Sequence, residues 1–243
     1  MRYGDLTYEE IRDRAHQGWL AIVPTGCTEQ QGPHLTVDYD TWFVEQVTAA
    51  ASEKAKRDFG VLSLVLPATP FGPTPEHRNY GSGYIDVPQE LHANLVEAIL
   101  ASLAQQGFTR MVVWRGCGQH DLAGVVERFN RINVNRAHAF LPELPYGEIM
   151  RRTAPDVVCG HADAFATSIA LHLRPQAVRV EKIPAPMNDP IDWDDPNLDF
   201  ARYSSSGVIG DPSQSSPDLG ATLWASVVEE VALTLQSCSI EDV

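Results

Sequence analysis

The sequence predicts an α/β fold, a single-domain parallel-sheet sandwich with helices on both faces. Short apolar runs alternate with longer stretches of helical periodicity, which is the order that builds parallel βαβ units. Hydrophobic residues make up 44% of the 243 residues, enough to bury a core. Neither an internal repeat nor a linker is visible, so residues 1–243 are expected to form one domain.

The first predicted elements are two helices and two strands. Thr7 and Glu10 have the spacing of a capping box, which begins a short helix ending near residue 17. The apolar runs at 19–24 and 61–66 are typical of buried strands, and residues 41–57 between them carry an apolar helical face.

The middle of the chain continues the alternation. A Gly- and Pro-rich segment at 68–87 is expected to be irregular. A helix is predicted at 88–106, a strand at 110–114, a helix at 121–131 and a strand at 137–141.

The last third is predicted to be helical at both ends. Residues 161–173 and 218–236 have helical character, and 177–180 is predicted as a strand. Residues 183–217 are rich in Pro, Asp and Ser, which indicates a long loop or lid.

The composition excludes several classes of partner. The formal net charge is −14 and no run of Lys or Arg occurs, so neither nucleic acid nor an anionic membrane is an expected partner. No apolar stretch reaches the length of about 18 residues that a membrane span requires. The polar start MRYGDLTYEE is unlike a signal peptide. A cytoplasmic protein with reduced cysteines is therefore expected.

The loop GCTEQQGPHLTVDYD, directly after the first predicted strand, is the strongest candidate for a functional site. Open α/β sheets carry their sites where parallel strands end. Glu29 and Asp40 are candidate metal ligands, because divalent cations bind carboxylate oxygens. Three later segments, 76–82, 116–121 and 159–168, carry polar residues in equivalent positions and are expected to converge on this loop.

Histidine and cysteine side chains supply further candidates. His34, His120 and His161 are possible ligands or general bases, because imidazole titrates near neutral pH. Cys117, between two glycines, is a possible thiolate ligand or nucleophile. The side chains expected to contact a small-molecule substrate are Gln31, Gln119, His77, Arg115 and Asp163.

Five segments in this order resemble the creatininase (creatinine amidohydrolase) family. They are GCTEQQGPHLTVDYD, PFGPTPEHRNYGSGYIDV, WRGCGQHD, GHADAFATSIAL and GVIGDPSQSSPDLGATLWASVVEEV. The resemblance implies a parallel α/β fold, a homo-oligomer that is commonly a hexamer or built from dimers, and hydrolysis of a C–N bond in a small amide. It also implies two divalent metals. Glu29 would bind one, Asp40 would bridge both, and His161 would assist proton transfer or substrate binding.

The chain departs from the family pattern at the metal ligands. Gln31 and Cys117 stand where the family has metal-binding histidines, and Gln119, Ala164 and Ala166 stand where it has glutamates. The expected outcome is one metal, zinc or manganese, held by Glu29, Asp40 and Cys117, or no metal.

Three functional hypotheses follow. The first is a hydrolase with one retained metal. The second is a metal-independent enzyme on the same scaffold, which would use Cys117, Glu29 or a histidine. The third is a non-catalytic protein that binds a small molecule. Arg78 and Arg115 border the predicted site, so a substrate carboxylate or phosphate is possible, and Trp193 could cover a flat ring.

Overall fold

The structure is a computed structural model, and it describes residues 1–240. Its centre is a four-stranded parallel sheet in the order β2-β1-β3-β4. The strands are β1 (Leu20–Thr25), β2 (Ser63–Val65), β3 (Arg110–Arg115) and β4 (His138–Phe140). Each lies within or beside one of the predicted apolar runs, so all four of these strand predictions are confirmed.

Seven helices surround the sheet. They are α1 (Tyr8–His16), α2 (Tyr39–Phe59), α3 (Gln89–Gln105), α4 (Ala123–Ile132), α5 (Tyr146–Thr153), α6 (Ala164–Leu173) and α7 (Pro217–Ile240). The predicted capping box of α1 is present: the Thr7 side chain accepts from the Glu10 N–H, and the Glu10 carboxylate accepts from the Thr7 N–H. Within residues 1–240, no helix combines the length and apolar character needed to cross a bilayer.

Alternate residues of each strand face opposite layers, because successive side chains of a strand point to opposite faces of the sheet. Ile22 and Trp114 pack with α2, α5, α6 and α7. Val23 and Val113 pack with α1, α3 and α4. The predicted architecture, a parallel sheet with helices on both faces, is confirmed.

Two local predictions were wrong, and one helix was missed. The segment predicted as a strand at 177–180 forms two short 3-10 turns, Pro175–Ala177 and Val180–Lys182. Pro175 fixes the first turn, and the Arg179 N–H donates to the His34 carbonyl oxygen instead of to a strand. Helix α5 was not predicted. Helix α6 begins at 164 and not at 161, because Asp163 caps its N-terminus.

Candidate active site

The candidate site lies at the carboxyl edge of the sheet, where β1 and β3 end side by side. Thr25 of β1 pairs with Arg115 of β3. The backbones of the two strands' following residues approach closely at Gly116, whose N–H donates to the Thr25 carbonyl oxygen at 2.6 Å. A Cβ atom at Gly116 would lie 2.7 Å from the carbonyl oxygen of Asp40. The loops after β1 and β3 and the first turn of α2 therefore meet here.

Two buried carboxyl groups form the floor of the site. Glu29 and Asp40 are 2% and 8% exposed. The Cys27 Sγ atom lies 3.1 Å from both Glu29 Oε2 and Asp40 Oδ2. The Gln31 amide donates to the same two groups, at 3.2 Å to Glu29 Oε1 and 2.9 Å to Asp40 Oδ2. One thiol and one amide thus connect both carboxyl groups.

Cys117 and Glu76 extend this cluster. The Cys117 Sγ atom lies 4.0 Å from Glu29 Oε2. Candidate ligand atoms of Glu29, Glu76 and Cys117 lie within 4.8 Å of one another, as do those of Cys27, Glu29 and Asp40. Both Cys27 and Glu76 lie in segments that the sequence predicted to form the site, but neither was assigned a specific role. The only sequence signal was their position next to assigned residues, two before Glu29 and one before His77.

Two histidines face Glu29. His161 Nε2 lies 2.7 Å from the Gln30 carbonyl oxygen, which can only accept, so this nitrogen carries the proton and Nδ1 faces Glu29 Oε1 at 3.5 Å. His77 Nε2 lies 3.4 Å from carboxylate oxygens of both Glu29 and Glu76. The Gln30 amide lies 3.0 Å from His77 Nδ1.

These contacts shift the pKa values of Glu29 and Asp40 in opposite directions. Burial opposes ionisation of Glu29, but the attraction of His77 and His161 outweighs it and holds the Glu29 pKa below its usual range. Burial and the Glu29 charge raise the pKa of Asp40 well above its usual range. Ionisation is therefore favoured at Glu29 and opposed at Asp40.

Both thiols resist ionisation in the protein alone. Burial raises the pKa of Cys27 well above its usual value, and the nearby carboxylates add to this effect. A hydrogen bond with Cys27 opposes the change at Cys117, yet burial and the charge of Glu29 raise the Cys117 pKa to about 12. Near neutral pH neither sulfur is a free thiolate, so Cys117 lacks the activation that a cysteine nucleophile requires.

The pKa values of His161 and His77 shift in opposite directions, although both side chains face Glu29. Burial and the neighbouring His77 lower the pKa of His161 to about 4. Burial also disfavours the charge on His77, but Glu29 and Glu76 outweigh it and raise its pKa to about 10. His161 is therefore neutral near pH 7, and its Nδ1 atom is a free lone pair.

A cavity of about 600 Å³ opens above the floor. Glu29, Gln31, Asp40, Cys117 and His161 line it, together with the exposed Gln119. Sequence reasoning missed one wall, which Tyr146 and Arg151 of α5 supply. Trp193 also lines the cavity and packs edge-on against Phe200, with ring centroids 5.7 Å apart.

Five sequence candidates lie away from the cavity or are engaged elsewhere. His34 is fully buried and bonds Thr167 of α6, because the turn at Gly32 and Pro33 directs its ring inward. His77 lies behind Glu29 and is also fully buried. The other three are His120, which lies behind Cys117 among the thiols, Arg115, which donates to the His120 carbonyl oxygen, and Asp163, whose carboxylate caps α6.

Arg78, the other arginine considered from the sequence, forms an ion pair with Asp86. It does not line the cavity. An anion-binding role for Arg78 or Arg115 therefore has no support in the described geometry.

The candidate ligand atoms form overlapping groups at the floor of the cavity. Cys27, Glu29 and Asp40 supply oxygen and sulfur within about the span of a single ion's ligand shell, and Glu29, Glu76 and Cys117 form an overlapping group. The Gln31 NH2 group points at both carboxyl groups and offers no lone pair. Ala164 and Ala166 are buried methyl groups. A further group of candidate ligand atoms, from Glu29, His77 and His161, has the same span and shares Glu29 with the others.

A parallel sheet with acidic, thiol and imidazole groups at its carboxyl edge defines an α/β protein with an enzyme-like pocket. The chain belongs to the creatininase family: the family model, described as creatinine amidohydrolase, matches residues 4–235. The creatininase resemblance of the five sequence segments is thereby confirmed.

Relatives of known activity are hydrolases of this family. The chain is 28% identical over 222 residues to the mycofactocin precursor peptide peptidase of Mycobacterium tuberculosis (strain CDC 1551 / Oshkosh), covering 86% of this chain and 81% of the relative. It is 24% identical over 252 residues to the creatinine amidohydrolase of Pseudomonas putida, covering 94% of each.

Solved structures support the fold. The structure described as "Creatininase Mn" aligns with a TM-score of 0.82 at 19% identity, over 97% of each chain. A mutant creatininase of Zn-Zn type aligns with a TM-score of 0.80 at 21% identity, over 97% of this chain and 96% of the other. Creatininases thus occur with manganese or zinc, and this chain has candidate metal-ligand groups at the site.

Proposed function

We propose that this chain hydrolyses a C–N bond of a small amide or short peptide, with one divalent ion at the floor of the cavity. The observation that carries this proposal is the buried cluster of Glu29, Asp40, Cys27 and Cys117, whose contacting atoms lie 3.1 to 4.0 Å apart. Oxygen and sulfur acceptors at this density are stabilised by a cation.

Glu29, Asp40 and Cys117 would hold the ion. When bound, a divalent ion in such a site polarises a carbonyl oxygen and lowers the pKa of water. Binding would displace the proton of the Cys117 thiol, because metal ligands are deprotonated. The sequence departures at Gln31, Ala164 and Ala166 are the reason that one ion is proposed and not two.

His161 would handle the proton of the reaction. Its Nε2–H is held by the Gln30 carbonyl oxygen, and its free Nδ1 faces Glu29 at the cavity wall. A neutral imidazole in this orientation can take a proton from the attacking water and return it to the leaving nitrogen. Glu29, held as a carboxylate, would stabilise the imidazolium form during that transfer.

The residues of the outer cavity indicate which chemical groups the substrate carries. Arg151 lines it, and none of the ion pairs found within residues 1–240 involves this arginine. Trp193 and Phe200 provide flat apolar surface beside it. We propose a substrate with a carboxylate for Arg151 and a planar or apolar group for Trp193.

A second candidate is acid–base hydrolysis without metal. It is favoured by the opposite pKa shifts of Glu29 and Asp40, since two neighbouring carboxyl groups whose environments push their pKa values apart can act as base and acid. The raised pKa of Cys117 disfavours the cysteine-nucleophile version of this route.

One experiment separates the candidates. Purified protein is analysed for metal and assayed against cyclic amides, acyl amino acids and short peptides, before and after chelation. Bound metal with turnover that a chelator removes and zinc or manganese restores supports the first candidate. Turnover that survives in metal-free protein supports the second. Saturable binding without turnover would support a non-catalytic protein. Homo-oligomeric assembly and a cytoplasmic location stay predictions from the sequence.

A further inference from the structure

Behind the carboxyl floor lies a group of two thiols and one imidazole. Candidate ligand atoms of Cys27, Cys117 and His120 lie within 4.8 Å of one another. Cys27 and His120 are 0% exposed and Cys117 is 7% exposed. The strand pairing explains the grouping, since Cys27 follows β1 and the other two follow β3, which are neighbours in the sheet.

His120 has unmet bonding capacity. Neither Nδ1 nor Nε2 of His120 has a hydrogen-bond partner within residues 1–240. The adjacent imidazole, His92, is 4.6 Å away between ring centroids and is likewise without partners in this part of the chain. A buried polar group left without a partner costs about 1–3 kcal/mol. A cation would use the lone pair that no protein donor reaches.

The donor types select the ion. Two cysteine sulfurs and one histidine nitrogen match a zinc site with three protein ligands and an open position. Manganese prefers oxygen ligands, so this set disfavours it. Both carboxyl groups lie 3.1 Å from Cys27 Sγ, but only Glu29 also contacts the other thiol, with its Oε2 atom 4.0 Å from Cys117 Sγ. Asp40 shares a group with Cys27 and Glu29 but not with His120.

We propose that Cys27, Cys117 and His120 form a sulfur-rich zinc site that adjoins Glu29 at the cavity floor. This inference rests on the proposed single ion and moves it from the carboxyl pair toward the thiols. Zinc binding displaces the Sγ protons of Cys27 and Cys117 into solvent, and the two thiolates then balance the ionic charge.

X-ray absorption of the zinc-loaded protein tests the ligand set without reference to activity. Two sulfur neighbours at about 2.3 Å and a nitrogen neighbour at about 2.0–2.1 Å are expected. The cobalt-substituted protein should show a thiolate-to-cobalt charge-transfer band in the near ultraviolet. Cys27→Ser should remove one sulfur neighbour and weaken the band, and His120→Asn should lower zinc affinity while the sulfur neighbours remain.

Cys159→Ser is the matched control. Cys159 is only partly buried and its Sγ contacts the Val157 carbonyl oxygen, outside the ligand group. This variant should keep both sulfur neighbours and the zinc content. Circular dichroism of every variant identifies those that fail to fold, and the wild-type absorption spectrum provides the ligand count independently of any variant.

The outcomes distinguish this inference from the proposed function. Two sulfur neighbours support it. One sulfur with oxygen neighbours would overturn it and leave the single-ion hydrolase intact, with Glu29, Asp40 and Cys117 as ligands. Metal bound through oxygen and nitrogen alone would also overturn it. Failure to bind zinc, with turnover in metal-free protein, would overturn both.

Discussion

His161 Nδ1 and Glu29 Oε1 are 3.5 Å apart, and the other ring nitrogen of His161 is held by the Gln30 carbonyl oxygen at 2.7 Å. The backbone contact fixes the tautomer, so Nδ1 carries the lone pair of a side chain that lines the cavity. Burial and the neighbouring His77 keep the pKa of His161 at about 4. A neutral, oriented base thus stands beside a carboxylate that can stabilise its protonated form.

Removing this base should slow the chemical step. We expect His161→Asn to lower kcat for amide hydrolysis by about 10²- to 10⁴-fold, the usual contribution of a positioned general base. Metal content should stay at the wild-type level. Steady-state kinetics with metal analysis checks this, and His16→Asn on the exposed face of α1 is the control. Undiminished kcat would remove His161 from the mechanism.

Glu29 should be indispensable for a different reason. It contacts Cys27, Gln31 and His161, so it lies at the centre of the cluster. Glu29→Gln keeps the shape and removes the charge. We expect activity to fall by more than about 10²-fold, because the stabilisation of charge in the transition state is lost. The measurement is kcat/KM at constant metal loading, and activity close to wild type would contradict the mechanism.

The sequence indicated the convergence of the site loops because β1 and β3 are both buried apolar runs and end in polar residues. On that basis Glu29 could be placed near Asp40 and near Cys117, and the structure has each pair within one group of candidate ligand atoms. The direction of a side chain within a loop could not be predicted. The ring of His34 points inward to Thr167, although it lies in the same loop as Glu29.

The missed wall of the cavity has a similar cause. Helix α5 spans only eight residues, Tyr146–Thr153, which is too short for helical periodicity to stand out. Its buried residues Ile149 and Met150 hold it against the core, and that tertiary packing is what places Arg151 at the cavity. The run at 177–180 was wrongly predicted as a strand, because no strand within residues 1–240 pairs with it.

Arg151 should determine preference for anionic substrates. We expect Arg151→Gln to raise KM roughly tenfold for substrates with a carboxylate, the low end for a charge-assisted hydrogen bond at an exposed site, and to leave uncharged amides unaffected. Arg152→Gln is the matched control, since Arg152 pairs with Glu230 away from the cavity. Equal effects of both variants, or equal effects on charged and neutral substrates, would exclude this role.

His34 should make stability depend on pH. Burial lowers its pKa from 6.5 to about 4, so the folded protein binds fewer protons than the unfolded chain between these values. The contribution of His34 to the free energy of unfolding is fully present above pH 6.5 and is lost as the pH falls toward 4. The contribution is about 3 kcal/mol.

Urea unfolding at pH 7, 5.5 and 4 measures this contribution. At pH 7, His34→Gln should have a lower free energy of unfolding than wild type, because the hydrogen bond between His34 and Thr167 is lost. Between pH 7 and pH 4, its free energy of unfolding should fall less than that of wild type. Equal declines for the two proteins would show that His34 is not the group responsible.

Gly116→Ala should damage the junction of the site loops. The added Cβ would lie 2.7 Å from the Asp40 carbonyl oxygen and 3.1 Å from the Thr25 carbonyl oxygen, and backbone atoms held by a strand and a helix cannot move aside cheaply. We expect a loss of about 1–3 kcal/mol in the free energy of unfolding, typical of overpacking. Metal affinity should fall as well, because Asp40 and Cys117 are displaced from each other.

Gly118→Ala is the matched control two residues on, since a Cβ there meets nothing within 4 Å. Denaturant unfolding and metal titration of the pair test this directly: similar stability of the two variants would mean that the close approach at Gly116 is not what holds the site together.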